Sequence, residues 1–200
     1  MMSVKDEDPQ FEGEDLVLTG PRLDLHTVLP HEYAILKVDR ADPRLWRDRG
    51  FTNPAGHLVE DPGPLPYRQP RVEADPAAAP YLLRLAVLRE ESVVVGSIGF
   101  HMRPDDGGMI EVGLGVEPPY RGRGYAKEML ATMWEWGTRQ PGVVTLRYTV
   151  SPDNAPSQAI IRQLGFAHVG VQQDEIDGPE DIFDMPAHEY RERFVGGRLS

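Results

Sequence analysis

The chain has 200 residues, a formal net charge of −11 and no cysteine. This length fits one domain that buries about 70% of its unfolded surface without cross-links. The lack of cysteine excludes disulfides and thiolate metal sites, the negative charge argues against a nucleic-acid partner, and no segment approaches the roughly 20 apolar residues of a membrane helix. We therefore expect a soluble, cytoplasmic protein with neither a membrane nor a nucleic-acid partner.

The N-terminal part of the chain predicts a strand, short helices and a long loop. Residues 1–15 are acidic and lack an apolar stretch, so we expect them to be disordered rather than a signal peptide or an anchor. Residues 16–28 alternate as a strand does, and His31–Val38 and Pro43–Arg49 suggest short helices. Residues 50–80 contain seven prolines and are expected to form a long loop without regular structure.

The remainder of the chain alternates strands and helices. A hairpin is predicted over 81–90 and 93–102, then a strand over 109–116, a helix over 124–137, a strand over 143–150, a helix over 154–164, a closing strand pair over 166–173 and 181–185, and a tail helix over 187–194. Hairpins favour antiparallel pairing, and a crossing through a helix favours a parallel neighbour. We therefore predict an α+β fold with a mixed, mostly antiparallel sheet.

Residues 109–126, MIEVGLGVEPPYRGRGYA, carry the most informative pattern. Glu111, Gly113 and Gly115 share one face of a strand whose other face is apolar, and glycine there lets a ligand lie close to the backbone. A turn rich in arginine and glycine follows and leads into a helix, whose first N–H groups lack partners within the helix and favour an anion. The pattern predicts an elongated ligand with a pyrophosphate at one end.

The six residues RGRGYA resemble the acyl-CoA-binding signature of the GNAT superfamily of N-acetyltransferases, Arg/Gln-x-x-Gly-x-Gly/Ala. Residues 151–166, SPDNAPSQAIIRQLGF, are similar to the second signature of its ribosomal-protein-alanine branch, and residues 20–25, GPRLDL, resemble that branch's opening strand. The resemblance implies a single GNAT domain over residues 16–200. In that fold two central parallel strands splay apart and flanking helices cover the sheet.

The resemblance also assigns roles to residues. It implies that acetyl-CoA, the acyl donor, is held by residues of the strand, the turn and the two following helix starts: Leu114, Gly115, Val116, Arg121, Gly122, Arg123, Gly124, Tyr125, Ala126, Asn154 and Ser157. Glu111 lies where many of these enzymes carry the general base, and a backbone N–H of the 114–116 region is expected to hold the oxyanion. Many members carry a proton-donating tyrosine where this chain has Ile161, so Ser157 is nominated as the general acid.

Simpler interpretations of the same residues stay open. Glu111 could be a surface residue of its strand, and Asn154 with Ser157 could serve only to cap a helix. The six histidines show no metal-ligand spacing, so no metal is expected, and His101 is the one histidine near the predicted site.

The acceptor side of the predicted site is less specified. Residues 50–80 and 172–185 are expected to shape that pocket, and the carboxylates between 174 and 184 favour a cationic amine. The leading hypothesis is acetyl transfer to a protein N-terminus or to a cationic small molecule. Alternatives are a non-catalytic acyl-CoA-binding sensor or partner-binding module, and a nucleotide-binding regulator. A homodimer is left open.

Overall fold

A computed structural model describes residues 15–174 and 178–195. Of the N-terminal segment 1–15 that is expected to be disordered, residues 1–14 lie outside the described residues, whereas Asp15 is ordered because it pairs with His26 and Arg49. Eight strands form one sheet in the order β1-β2-β3-β4-β5-β6-β8-β7. The strands are β1 (Leu18–Thr19), β2 (Leu23–Thr27), β3 (Arg84–Leu88), β4 (Val93–Phe100), β5 (Met109–Val116), β6 (Thr145–Val150), β7 (Ala167–Asp174) and β8 (Gly178–Pro186). Every neighbouring pair is antiparallel except β5 and β6, which are parallel. The predicted mixed sheet is confirmed.

Six α-helices lie in the described residues. They are α1 (Pro30–Val38), α2 (Leu65–Ala74), α3 (Ala79–Leu82), α4 (Tyr125–Gly137), α5 (Ala155–Leu164) and α6 (Ala187–Tyr190), and a π-helical turn over Arg191–Val195 follows α6. The predicted helices at 31–38, 124–137 and 154–164 are therefore confirmed, and so is the closing strand pair. The predicted strand over 16–28 is divided into β1 and β2, which pair with each other.

Two apolar clusters pack on opposite faces of the sheet. The larger contains the buried side chains of α4, with Trp134 at its centre, together with inward residues of β2 to β6 and β8. The smaller lies under α1, α2 and α3 against β3 and the start of β4. The helices of the second cluster thus cover β2 to β4 on their face. The same face of β5 and β6 carries Glu111, Gly113, Gly115, Arg147 and Thr149, none of which is fully buried.

The prediction of an irregular loop over residues 50–80 was wrong, because the segment contains α2 and α3. Pro66 lies in the first turn of α2, where a backbone N–H would have no acceptor within the helix, so proline costs no hydrogen bond there. Pro70 lies inside the helix and removes one helical hydrogen bond. Burial of Leu65, Arg68 and Val72 on one side of α2 accompanies this loss, so tertiary packing outweighs the proline penalty.

Two further predictions in the N-terminal half need correction. Residues 43–49 form turns rather than a helix, because Trp46 adopts a left-handed φ of 60° while its side chain is buried in the smaller cluster. The strand predicted to begin at residue 81 begins at Arg84, since Ala79–Leu82 are helical.

Candidate active site

The parallel strands β5 and β6 separate halfway along β5. Their pairing covers Met109–Val112 of β5, whereas the antiparallel pairing with β4 continues through Val116 without a shift in register. Residues 113–116 therefore have a neighbouring strand on one side only. This is the open edge that the predicted splay of the two strands requires.

The direction of the backbone groups along this edge follows from two hydrogen bonds. His101 N–H donates to the carbonyl oxygen of Glu111, and Glu117 N–H donates to the carbonyl oxygen of Val95 on β4. Because backbone groups alternate sides along a strand, odd-numbered residues of β5 address β4, and Leu114 and Val116 address the gap. Within the described part of the chain, the backbone N–H groups of Leu114 and Val116 therefore have no partner strand on this side, and the oxyanion contact stays a prediction.

The turn after β5 presents a row of unused donors. In the described part of the chain, none of the backbone N–H groups from Gly122 to Lys127 donates a backbone or side-chain hydrogen bond, and α4 begins at Tyr125 within this row. Gly122 and Gly124 have φ values of 75° and 81°, which glycine adopts without strain. Consecutive free N–H groups at a helix N-terminus make an anion site.

Three arginines surround these donors. Arg121 and Arg123 are exposed and donate to the backbone carbonyls of Val116 and Pro119, and the Arg123 guanidinium also lies 5.7 Å from the centre of the Tyr120 ring. The guanidinium of Arg22 lies 4.6 Å from the centre of the Tyr125 ring and donates to the carbonyl oxygen of Arg123. The sequence places Arg22 only in the segment that resembles the opening strand of the family branch. Its place beside Gly124 depends on the pairing of β2 with the rest of the sheet.

Glu111 lies on the open face of β5 with two polar neighbours from separate elements. The Thr149 hydroxyl donates to Glu111 Oε1 at 2.5 Å, and His101 Nδ1 lies 3.6 Å from the same oxygen. The side chain of Glu111 keeps 16% of its surface exposed, so a ligand can reach its carboxylate. Thr149, which the sequence analysis missed, shares a face of β6 with Arg147, the partner of Glu111 in the register.

Ser157 and Asn154 both lie at the start of α5. Asn154 Oδ1 accepts from the Ser157 N–H at 3.2 Å, which makes Asn154 the N-cap. The hydroxyl of Ser157 is 3.2 Å from the phenol oxygen of Tyr148 on β6. Ile161 is fully buried, so its position offers no proton donor. The phenol of Tyr148 lies beside Ser157 instead, and burial raises its pKa.

Most of the acidic residues expected near the acceptor already have partners. Arg147 binds Asp184 through two hydrogen bonds of 2.8 Å, Asp181 accepts from Gln158 and contacts His168, and Glu180 accepts from Gln172. Glu175 and Asp177 lie outside the described residues. Part of the negative charge predicted beside the acceptor pocket is therefore neutralised by ion pairs or used in hydrogen bonds to neighbouring side chains.

His101 provides a pH-dependent test of this geometry. Its pKa is lowered to about 4, first by burial and then by the cations Arg68 and Arg71, while Asp174 opposes the shift. Between about pH 6.5 and pH 4 the unfolded chain binds a proton at His101 that the folded chain does not, so stability should fall as the pH decreases through this window. His101→Asn should lose less stability than the wild type between pH 7 and pH 5 in urea unfolding. Equal losses would contradict the assigned environment.

No group of three or more histidine, aspartate and glutamate side chains is placed to hold a metal ion within residues 15–174 and 178–195. Over the same residues, none of the helices combines the length and apolar composition that crossing a bilayer requires.

Comparison with known proteins identifies the family from the sequence. Residues 23–167 match the family model described as an acetyltransferase (GNAT) domain. The chain is 36% identical to an L-2,4-diaminobutyric acid acetyltransferase of Streptomyces coelicolor over 58% of this chain and 69% of that one. It is also 30% identical to an uncharacterised N-acetyltransferase of Bacillus subtilis over 41% of this chain and 49% of that one. The match thus spans about half the length of the Bacillus relatives.

Solved structures share the fold at low identity. A Vibrio cholerae protein described as a ribosomal-protein-serine acetyltransferase is 18% identical with a TM-score of 0.59, covering 86% of this chain and 98% of that one. A ribosomal alpha-N-protein acetyltransferase solved in complex with coenzyme A is 13% identical with a TM-score of 0.57, covering 85% of this chain and 97% of that one.

Proposed function

The chain belongs to the GNAT family of acetyltransferases, and from this membership we propose that it transfers the acetyl group of acetyl-CoA to a primary amine. One observation carries the proposal: the open edge of β5 leads directly into the row of free N–H groups from Gly122 to Lys127. An extended thioester with a pyrophosphate at its far end matches both features. Arg121, Arg123 and Arg22 add positive charge at the pyrophosphate end.

The reaction requires a neutral amine, a stabilised oxyanion and a proton for the departing thiolate. Glu111 accepts a proton from the ammonium group, directly or through water, and the amine nitrogen then bonds to the thioester carbonyl carbon. A backbone N–H of Leu114 or Val116 stabilises the oxyanion. The carbon–sulfur bond breaks as the carbonyl reforms, and the amide nitrogen loses its second proton. Ser157, hydrogen-bonded to Tyr148, passes its own proton to the thiolate and takes up the one from the nitrogen, so the serine ends the step as a hydroxyl.

Release of free CoA in the presence of an amine panel tests the function. The chain has no cysteine, so a thiol reagent reports CoA without background from the protein. Tight acetyl-CoA binding with no CoA release from any amine would favour an acyl-CoA-binding sensor instead. Affinity for ATP rivalling that for acetyl-CoA would favour a nucleotide-binding regulator.

The Ser157 hydroxyl should contribute to turnover. Ser157→Ala removes one hydrogen bond to the departing sulfur, which is worth about 1–1.5 kcal/mol or roughly tenfold in kcat. Tyr148→Phe should lower kcat less, because it leaves the serine hydroxyl in place. Steady-state kinetics at saturating acetyl-CoA measure both. An unchanged kcat in Ser157→Ala would mean that the thiolate leaves unassisted.

We further propose that the acceptor is cationic, either a protein N-terminus or a small molecule. The carboxylates of residues 174–184 motivate this proposal, although several have partners within the fold. Replacing Asp174, Glu175 and Asp177 together by their amides should lower kcat/KM for a diamine. An arylamine, which is neutral at pH 7, should be spared. The effect should fade with salt, because exposed charges are screened beyond about 8 Å at physiological ionic strength. Equal effects on both acceptors would contradict the proposal.

A further inference from the structure

Two arginines of α2 converge beside the candidate general base. Arg71 Nη1 donates to the carbonyl oxygen of His101 at 2.7 Å, and Arg68 Nη1 donates to the same oxygen at 3.3 Å. The imidazole of His101 lies 3.6 Å from Glu111. Two positive side chains thus meet at one backbone oxygen next to the carboxylate that is proposed to accept the proton.

These arginines differ from most others in the fold. Eight arginines of the described residues pair with a carboxylate within 4 Å, namely Arg22, Arg44, Arg49, Arg89, Arg103, Arg139, Arg147 and Arg193. Within the same residues, neither Arg68 nor Arg71 forms such a pair. Glu111 interacts with Arg68 only at longer range. The two guanidinium groups therefore repel each other without a neutralising partner in the described residues.

Burying the charge of Arg68 without a counter-ion lowers the stability of the unliganded protein. Arg68 is only 5% exposed, and its Nε is buried without a hydrogen-bond partner. Burial and the neighbouring Arg71 lower the pKa of Arg68 to about 10, so it stays charged at pH 7. A buried charge normally has a counter-ion. Each guanidinium carries five N–H donors. Arg68 uses one of them, at the His101 carbonyl, and Arg71 uses only Nη1, which donates to the carbonyls of His101 and Tyr67.

The location of the pair connects it with the reacting centre. A Cβ built on Gly113 would lie 3.1 Å from His101 Nε2 and 3.9 Å from Arg68 Nη2. Gly113 is two residues from Glu111 on the same face of β5, at the start of the open edge. The His101 imidazole therefore lies directly over Gly113 with the Arg68 guanidinium beside it, so the arginines and Glu111 meet at one residue, His101.

We propose that Arg68 and Arg71 form a carboxylate subsite for the acceptor, so that the acceptor is a small primary amine that also carries a carboxylate, such as a diamino acid. This inference rests on the proposed acetyl transfer and narrows its acceptor. The carboxylate supplies the counter-ion that the two arginines lack, and it directs the amine of the same molecule toward Glu111. A second ammonium group on the acceptor keeps it compatible with the acidic residues of 174–184. A protein N-terminus carries no carboxylate of its own beside its amine and fits this subsite less well.

Pairs of acceptors that differ only by a carboxylate test the inference. Ornithine is compared with putrescine and lysine with cadaverine, and kcat/KM is measured by CoA release. The wild type should prefer each amino acid to its diamine. Arg71→Gln, which alters a half-buried side chain, should lower the ratio of the two kcat/KM values by about tenfold or more, as expected for loss of a charge-assisted contact. Arg71→Glu should reverse the preference, and Arg68→Lys should lower the ratio because lysine cannot form the paired contact.

Arg139→Gln is the matched control, since it removes the same charge from an exposed pair at the end of α4, on the opposite face of the sheet. In this control the ratio of kcat/KM for the amino acid to kcat/KM for its diamine should equal that of the wild type. Turnover of all four amines with no preference for the amino acids, or ratios unchanged in both Arg71 variants, would overturn the subsite and leave acetyl transfer standing. If no amine releases CoA, acetyl transfer fails. Calorimetry of ornithine with the CoA-bound protein then decides, because binding that Arg71→Glu abolishes supports the subsite and no binding overturns it.

Discussion

Replacing Gly124 by valine is expected to abolish the rise in melting temperature that acetyl-CoA gives the wild-type protein. A ligand that binds only the folded state at 100 times its Kd stabilises that state by about 2.7 kcal/mol. For a chain of this size that corresponds to roughly 5–10 °C. Gly124 has a φ of 81° and precedes the first residue of α4, within the row of free N–H groups. Valine disfavours this backbone conformation and places a branched side chain where the pyrophosphate should approach.

Gly142→Val separates loss of the site from backbone strain. Gly142 has a φ of 77°, and nothing lies within 4 Å of a Cβ built there, so valine imposes comparable strain in a turn outside the predicted site. Both variants should melt below the wild type without ligand. Only Gly124→Val should lose the shift with acetyl-CoA in differential scanning fluorimetry. A rise in melting temperature with acetyl-CoA equal to that of the wild type in Gly124→Val would show that the pyrophosphate does not bind at this turn.

Glu111→Gln is expected to lower turnover by roughly 10²-fold or more while acetyl-CoA binding stays nearly intact. The amide keeps the size of the side chain and can still contact Thr149, but it cannot accept a proton from an ammonium group. General-base assistance typically contributes 10²–10⁴-fold.

The control for this variant is Glu135→Gln on α4, which removes one carboxylate on the opposite face of the sheet. It should leave kcat unchanged. Initial rates of CoA release at saturating acetyl-CoA measure the chemical step. The rise in melting temperature with acetyl-CoA, measured in parallel, shows whether binding is kept. Turnover of Glu111→Gln near that of the wild type at neutral pH would make Glu111 a surface residue of its strand.

Local patterns in the sequence were enough to predict the cofactor side of the site. Alternation along β5 and helical spacing along α4 are properties of contiguous residues, so the strand, the turn at Gly122 and Gly124 and the helix could be placed without knowing the rest of the fold. The pairing of β5 with β4 runs without a register shift, which keeps Glu111 on the predicted face. Asn154 likewise caps α5 as its position suggested.

The acceptor side depended on contacts between distant segments. Proline content alone predicted a loop over 50–80, yet α2 forms there because its buried side packs against the rest of the second cluster. Because of that error the sequence offered no reason to single out Arg68 and Arg71. Their proposed role depends on the hydrogen bonds to the carbonyl of His101, about 30 residues away in the chain.

Register and packing, rather than composition, therefore decided the chemistry around Glu111. The sequence by itself determined the family and was enough to predict the acetyl-CoA turn and the candidate base, since each motif lies within one short segment. Only the tertiary structure brought Thr149 and His101 to Glu111, placed Tyr148 beside Ser157, and brought Arg68 and Arg71 together at the His101 carbonyl. Strand pairing sets these distances, and it is fixed by the burial of whole faces of the sheet rather than by any one residue's neighbours along the chain.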